Sequence, residues 1–553
     1  MRYLRWLLLV LLLITPVLLL AVVFSPSWLD SPRALSQPRP VPPGDQEIAW
    51  IHTTTHGVAW ERFVTGLKRI EMLIPGLHID DADAFLDETT AVPEVVIRKD
   101  GHAGALRVRW YKITGEVTTA HWIRSLARRD PAPLGFIGGG SSDRAVELAR
   151  ALRRQESWHG DRPVLLLTTA TADEVEDDGE DEPRGPDTGP KQPPRLIHIY
   201  KDRSFRFCFT NHQMAEAVTD FVFADPSLRP GPIQWPGLRM VPLGAAGTWG
   251  AIGGVPDFLT EPEPHIFTAA WQDDSYSIDL SWQFKSAIRK QFPTLEDDVY
   301  AMKPQFHSES VPFSVGSLYV PNRYEAQSVD AFVNQLPPHE ERALVVLPTS
   351  PPSARRFLRT LCEAAPLAER RLVAVTGDSI GMNVIYRDGE FAWPVRAMPV
   401  PLVMFTHNSP FAWDEPGGPV PPPGAELRPP NSTEDALHFA ELGRHMIEAA
   451  FPPPAEQKPE TTQSGLARRA DVIASRLKGR WPRFFDENGD RISGTGEFIV
   501  VLRPTIAGEG PPTSPPPPDA TIDVYRRSPW IGWDRVRTLP ITHTRRLSGG
   551  MAG

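Results

Sequence analysis

The sequence predicts an α/β protein built as two doubly wound parallel-sheet lobes. Three observations carry that reading. Short apolar runs alternate with amphipathic stretches of helical length; the alternation halts in a proline-rich excursion and restarts near His265; and 553 residues give more strands than one sheet ordinarily holds. A hydrophobic fraction of 41% supplies material for more than one core, and 60 prolines, about twice ordinary usage, point to long irregular insertions.

At the N-terminus, Arg2 and Arg5 precede nineteen uncharged residues from Trp6 to Phe24, enough to cross a hydrocarbon core of ~30 Å. Positive charge before the span places the N-terminus in the cytoplasm. Residues 1–25 therefore read as a transmembrane signal anchor, and the folded part is expected outside the cell membrane, in the periplasm. A cleaved signal peptide competes with this reading, but Ala21-Val-Val-Phe-Ser25 is a poor small-residue cleavage site. Residues 26–45, rich in proline and serine, read as an extended tether.

The first α/β series opens with the strand Glu47–Ile51, a loop containing His52 and His56, and a helix from Ala59 to Leu73 with Phe63, Leu67 and Ile70 on one face. A strand over 105–111 and a helix over 118–128 follow. The most telling stretch is next: a strand at 134–137, the loop Gly138-Gly-Gly-Ser-Ser142, an amphipathic helix, then Val164–Leu167 ending in Thr168-Thr-Ala-Thr171. In an open parallel sheet, ligands sit beyond the carboxyl ends of the strands, where both hydroxyl loops fall. The glycines leave backbone amides bare at a helix start. The loop lacks the GxGxxG of dinucleotide folds and the lysine of a P-loop, so no nucleotide and no cofactor is indicated.

Between Ala172 and Pro194 the chain turns acidic and reads as a solvated insertion. Order resumes over 205–223, lapses over 225–264, and restarts at His265–Trp271, with Tyr276 beyond the strand and a helix over 280–292. Further strands are expected at 313–320, 343–347, 372–375 and 402–405, with helices at 326–335, 353–364 and 433–451. Cys208 and Cys362, the only cysteines, have apolar neighbours and read as two buried thiols in preference to a disulfide or metal pair. Asp486-Glu-Asn-Gly-Asp490 reads as a turn in preference to a calcium loop, whose distal glutamate is missing. A net charge of −10 without a basic patch argues against nucleic acid. No HExxH, GxSxG or CxxC occurs, and the chain is read as a non-enzyme.

Four places together resemble the type I periplasmic binding proteins, in particular the branched-chain amino-acid-binding and receptor ligand-binding branch. They are Gly135–Ser142, Leu167–Thr171 with the later Phe205-Arg-Phe207, Ala270–Tyr276, and Phe485–Asp490 with Phe498–Val501. The resemblance spans residues 46–505 and implies two lobes joined by a three-crossover hinge near 266, 398 and 482. Lobe 1 would then be 46–265 and 398–481, lobe 2 would be 266–397 and 482–505, and 506–553 would be a proline-rich tail. It further implies that Ser141 and Ser142 hold a ligand carboxylate, that Thr169, Ala170 and Thr171 bind through backbone and hydroxyl groups, that Tyr276 covers the ligand, and that Asp378 faces its ammonium. The expected function is a membrane-tethered solute-binding or sensory protein for an amino acid or similar zwitterion, with an ABC permease or a sensor as partner. The alternative is a ligand-free interaction scaffold of the cell envelope. Two departures stand out: Tyr276-Ser277 replaces the family's Tyr-Gly, and its acidic residues after the second strand are missing from Tyr111–Glu116.

Overall fold

Two sheets divide the chain in the computed structural model. It describes residues 37–175, 193–232, 264–269, 274–291, 341–349, 372–380, 400–408, 433–451, 469–479, 483–494, 496–504, 520–528 and 532–541, with positions 336, 354, 357, 358 and 361. The expected membrane span, most of the acidic tract, the strand at 313–320, the helix at 326–335 and Cys362 lie outside the described residues. Among the described residues no helix is long and apolar enough to cross a membrane.

The first sheet takes β1 (Gln46–Thr53), β2 (Leu77–Asp80), β3 (Glu94–Lys99), β4 (Leu106–Ile113), β5 (Gly135–Gly138), β6 (Val164–Leu167) and β7 (Ser204–Arg206), in the order β2-β3-β4-β1-β5-β6-β7. The five from β4 to β7 are parallel. β2 and β3, which sequence reasoning missed, make the other edge antiparallel. Helices α1 (Gly57–Leu73), α2 (Thr119–Ala127), α3 (Ser142–Arg154) and α4 (Leu196–Ile199) connect them. Trp50, Trp60, Phe63 and Leu67 fill the core on one face of the sheet, and Ile51, Trp122, Leu148 and Leu152 fill the other. Burial on both faces explains the unbroken apolar runs of β5 and β6.

After β7 the chain crosses to the second sheet. Helix α5 (Asn211–Ala224) begins in a capping box, Thr210 accepting from the Gln213 amide and the Gln213 side chain from the Thr210 amide. The second sheet holds β8 (Gly231–Pro232), β9 (Ile266–Thr268), β10 (Glu341–Val346), β11 (Leu372–Val375), β12 (Leu402–Thr406), β13 (Phe498–Pro504), β14 (Ala520–Ser528) and β15 (Gly532–Ile541). Its order is β15-β14-β13-β12-β11-β10-β8, with β9 also on β10. β9 to β12 are parallel, while β8 and β13 to β15 run antiparallel to their neighbours. Helix α6 (Ser275–Gln291) packs beside α5 on one face, where Val218, Phe221, Leu280 and Phe284 meet Val346, Val375 and Phe405.

Helices α7 (Thr433–Ala450) and α8 (Ala470–Gly479) return to the first sheet, placing Phe439, Met446 and Leu477 in the core with Trp50 and Phe63. A Cβ on Gly66 of α1 would stand 2.7 Å from the Ala436 carbonyl, and one on Gly443 of α7 would meet Leu67 at 2.7 Å. The two helices cross where each lacks a side chain.

The three crossovers therefore fall at 207–210, between β12 and α7, and between α8 and β13. The expected hinges near 266 and 398 are corrected: α5, assigned to lobe 1, covers the second sheet, and β12, also assigned to lobe 1, is hydrogen-bonded inside it. An amphipathic helix and a buried strand read alike whichever sheet they join. The expected tail is corrected too, since β14 and β15 extend the second sheet, with Ile522 and Val524 in its core. The tether ends earlier than residue 45: the Arg39 carbonyl accepts from Arg109 at 2.8 Å and Arg129 at 2.9 Å, and both arginines pair with buried Glu47 at 2.7 Å.

At the third crossover, Asp486 Oδ1 accepts the amides of Asn488, Gly489 and Asp490, each at 2.9 Å. Gly489 has φ +101°, and a Cβ there would stand 2.2 Å from the Ser204 carbonyl. The expected turn is what forms, and among the described residues no group of three or more acidic, histidine or cysteine side chains is placed to hold a metal. Asp490 then pairs with Arg206 at 3.1 Å and Arg195 at 2.8 Å, pinning this crossover to β7. Arg491 donates to the Phe207 carbonyl at 3.1 Å and stacks on Phe209, joining the first and third crossovers.

Candidate functional site

The carboxyl ends of β5 and β6 in one sheet and of β11 and β12 in the other open onto one cavity of 390 Å³. That is within the range of small-ligand sites. The first lobe contributes Gly140, Ser141, Ser142, Asp143, Thr169 and His438; the second contributes Asp274, Tyr276, Asp378, Ser379, Phe405, Thr406, His407 and Asn408.

Local chemistry fixes each wall. Ser141 caps α3, its hydroxyl accepting from the Arg144 amide at 3.3 Å, and Ser142 Oγ accepts from the Ala172 amide at 3.2 Å. Thr169 donates to the Gly139 carbonyl at 3.1 Å. Opposite, the Tyr276 hydroxyl donates to Asp378 Oδ1 at 3.2 Å and accepts from the Ser379 amide at 3.3 Å. Burial, then the adjacent Asp378 charge, hold the Tyr276 phenol well above its ordinary range.

His407 has both ring nitrogens engaged. Its Nδ1 accepts from the Phe209 amide at 3.2 Å, which leaves the proton on Nε2, directed at Asp378 Oδ2 at 2.7 Å. His438 Nε2 faces the Thr168 carbonyl at 2.7 Å, an acceptor alone, so Nε2 carries its proton as well. Burial first, then the neighbouring His407 and Arg491, push His438 down to about 3. It is a neutral imidazole near pH 7, and its Nδ1 is buried without a hydrogen-bond partner. The Asn408 side-chain amide nitrogen is buried without one too.

The two lobes touch across the cleft. Ser275 at the start of α6 donates from Oγ to Asp143 Oδ1 at 2.6 Å. Beside the first crossover, the Asp279 carboxylate accepts the Asp173 and Glu174 amides at 2.8 and 3.2 Å, and Asp173 accepts the His212 amide at 2.8 Å.

Of the expected site residues, Ser141, Ser142, Thr169, Tyr276 and Asp378 meet at this cavity. Ala170 and Thr171 do not line it. Ala170 packs in the first-lobe core, and the Thr171 carbonyl turns back to accept from Arg206 and Asn211. Trp60 sits in the core, donating to the Ala84 carbonyl at 2.7 Å. His407 was within reach of sequence reasoning as the residue following a strand; His438 was not, because nothing in its helix announces which loop it faces. His52 lines a second cavity of 280 Å³ inside the first lobe, and His121 stands on α2 away from both. Cys208 is a buried free thiol, pushed up to about 12 by burial.

The chain is similar in structure to ABC transporter substrate-binding proteins. One from Desulfitobacterium hafniense matches 83% of this chain and 98% of its own at 12% identity, TM-score 0.43. The branched-chain amino acid transporter substrate-binding protein LivJ of Streptococcus pneumoniae, in complex with isoleucine, matches 83% and 95% at 10% identity, TM-score 0.39. LpoA of Haemophilus influenzae matches 87% of this chain and 60% of its own at 10% identity, TM-score 0.35. No family model and no curated protein sequence matches the chain.

Proposed function

We propose that this protein is an extracytoplasmic solute-binding or sensory protein that closes two lobes on a small polar ligand of amino-acid size, tethered to the membrane through residues 6–24. The observation that carries the reading is the cavity itself. Its walls come from both lobes, at the carboxyl ends of parallel strands, with the chain crossing between the lobes three times. In this reading an ABC permease or a membrane sensor receives the closed form.

In this reading the site binds and does no chemistry of its own. Both His407 nitrogens are engaged, one accepting the Phe209 amide and the other directed at Asp378. His438, at about 3, is too weak a base near neutral pH. The nearby Ser379 hydroxyl is committed to the Thr349 carbonyl at 2.6 Å.

The test is calorimetric titration and thermal shift of the full chain in detergent against a panel of amino acids, their amides and small amines. Saturable heat with a rise in melting temperature is the expected result. No response to any member overturns the binding reading and favours the scaffold alternative.

A further inference from the structure

Beyond the size of the ligand, the cavity walls carry information about its charge. Asp143, Asp274 and Asp378 line the cavity, and among the described residues no lysine or arginine does. Of the two histidines in the wall, His438 is neutral through burial, and His407 holds its Nε2 proton toward Asp378. The N-termini of α3 and α6 offset part of the acid charge, at about half an elementary charge each. Among the described residues that line the cavity, the balance stays acidic.

Two further groups specify hydrogen bonding. His438 is 4% exposed, and its Nδ1 is an acceptor with no partner. The Asn408 Nδ2 is a donor with no partner. Buried polar atoms left unpaired are costly, and both belong to side chains in the cavity wall, so a ligand whose entry turns them toward it can supply an N–H to the first and an uncharged oxygen to the second. A ligand carboxylate would instead meet the three aspartates, a costly encounter in a site drier than water.

We infer that the ligand is a small organic cation: a protonated amine that donates to His438 and carries a neutral carbonyl or hydroxyl for Asn408, in place of the free carboxylate of an amino acid. This rests on the two-lobe binding reading above and narrows it.

The experiment uses the full chain in detergent and two matched sets: leucinamide, leucine and 4-methylpentanoate, and phenylalaninamide, phenylalanine and 3-phenylpropanoate. Calorimetry is expected to rank the amide above the amino acid by roughly tenfold or more, with no measurable binding of the acid. Equal or tighter binding of the amino acid or the acid in both sets overturns the inference while leaving solute binding intact. Silence from both amides also overturns it; silence from every compound, including the wider panel, removes the binding reading with it. Asn408→Ala supplies a second readout: it is expected to weaken leucinamide roughly tenfold and to leave isopentylamine, which has no carbonyl, unchanged. Equal loss for both compounds counts against the assignment. His438→Phe is expected to weaken both amines, with circular dichroism confirming that the variant is folded.

Discussion

The side-chain carboxylate of Asp279 accepts the backbone amide of Asp173 at 2.8 Å, tying a helix of the second lobe to a loop of the first. The same carboxylate takes the Glu174 amide at 3.2 Å, the Asn211 side chain at 2.8 Å and Gln283 at 3.1 Å. Four donors hold one buried acid beside the first crossover.

Despite those donors, burial and then the Asp173 charge push Asp279 up to about 6 from an ordinary 3.8. The folded state therefore holds this proton more tightly than the unfolded state does. The stabilisation is complete below about pH 3.8, is lost as pH rises through about 6, and changes no further above that. The span is at most roughly 3 kcal/mol. Urea unfolding of wild type and Asp279→Asn between pH 4 and 7.5 checks it: the difference between the two should change with pH across this window and flatten above it. Parallel curves would contradict it.

Asp490 is 3% exposed and faces Arg206, which has no exposed surface, and Arg195. Asp490→Asn leaves the Arg206 guanidinium buried without its countercharge. The expected loss is about 3 kcal/mol or more, measured as a lower urea midpoint at unchanged slope. Arg195→Ala, at the half-exposed end of the network, should cost about 1 kcal/mol or less.

The α1–α7 crossing is sensitive to a single methyl group. Gly66→Ala would place a Cβ at 2.7 Å from one backbone oxygen and 2.8 Å from the Ala440 nitrogen, and neither backbone atom can rotate away. A destabilisation of about 1–3 kcal/mol is expected. Gly479→Ala, at the end of α8 with nothing within 4 Å, is the control and should stay within about 0.5 kcal/mol of wild type.

Ending the chain after residue 505 deletes β14 and β15. Ile522 and Val524 would leave the second core, and β13 would become an unpaired edge. The truncated protein should elute as aggregate in size exclusion, where the full chain runs as a discrete species. A discrete, ligand-competent truncation would refute this.

Much of the architecture was readable beforehand because a buried parallel strand and an amphipathic helix leave strong, different periodicities. Strands β1, β5, β6, β11 and β12 and helices α1, α2 and α7 lie within a few residues of expectation. β2 is a four-residue strand with two side chains in and two out, too short for its period to show. The final strands were hidden by flanking prolines and by charged residues such as Asp523, Arg526 and Arg527 that interrupt the apolar pattern. Hinge positions failed for a different reason: periodicity states that α5 has an apolar face but not which sheet that face meets. At the site, Ser141, Thr169, Tyr276 and Asp378 follow strand ends and were legible as such. The unpaired nitrogen of His438 arises only when α7 docks on the first lobe, a long-range event that local pattern does not encode.

The chain enters through one half and leaves through the other. Arg39 and Pro40 are fastened to arginines of the first lobe, and β15 forms the outer edge of the second. Dyes placed near residues 37 and 541 therefore ride on separate lobes, and the distance between them would report the proposed closure without any label in the cleft.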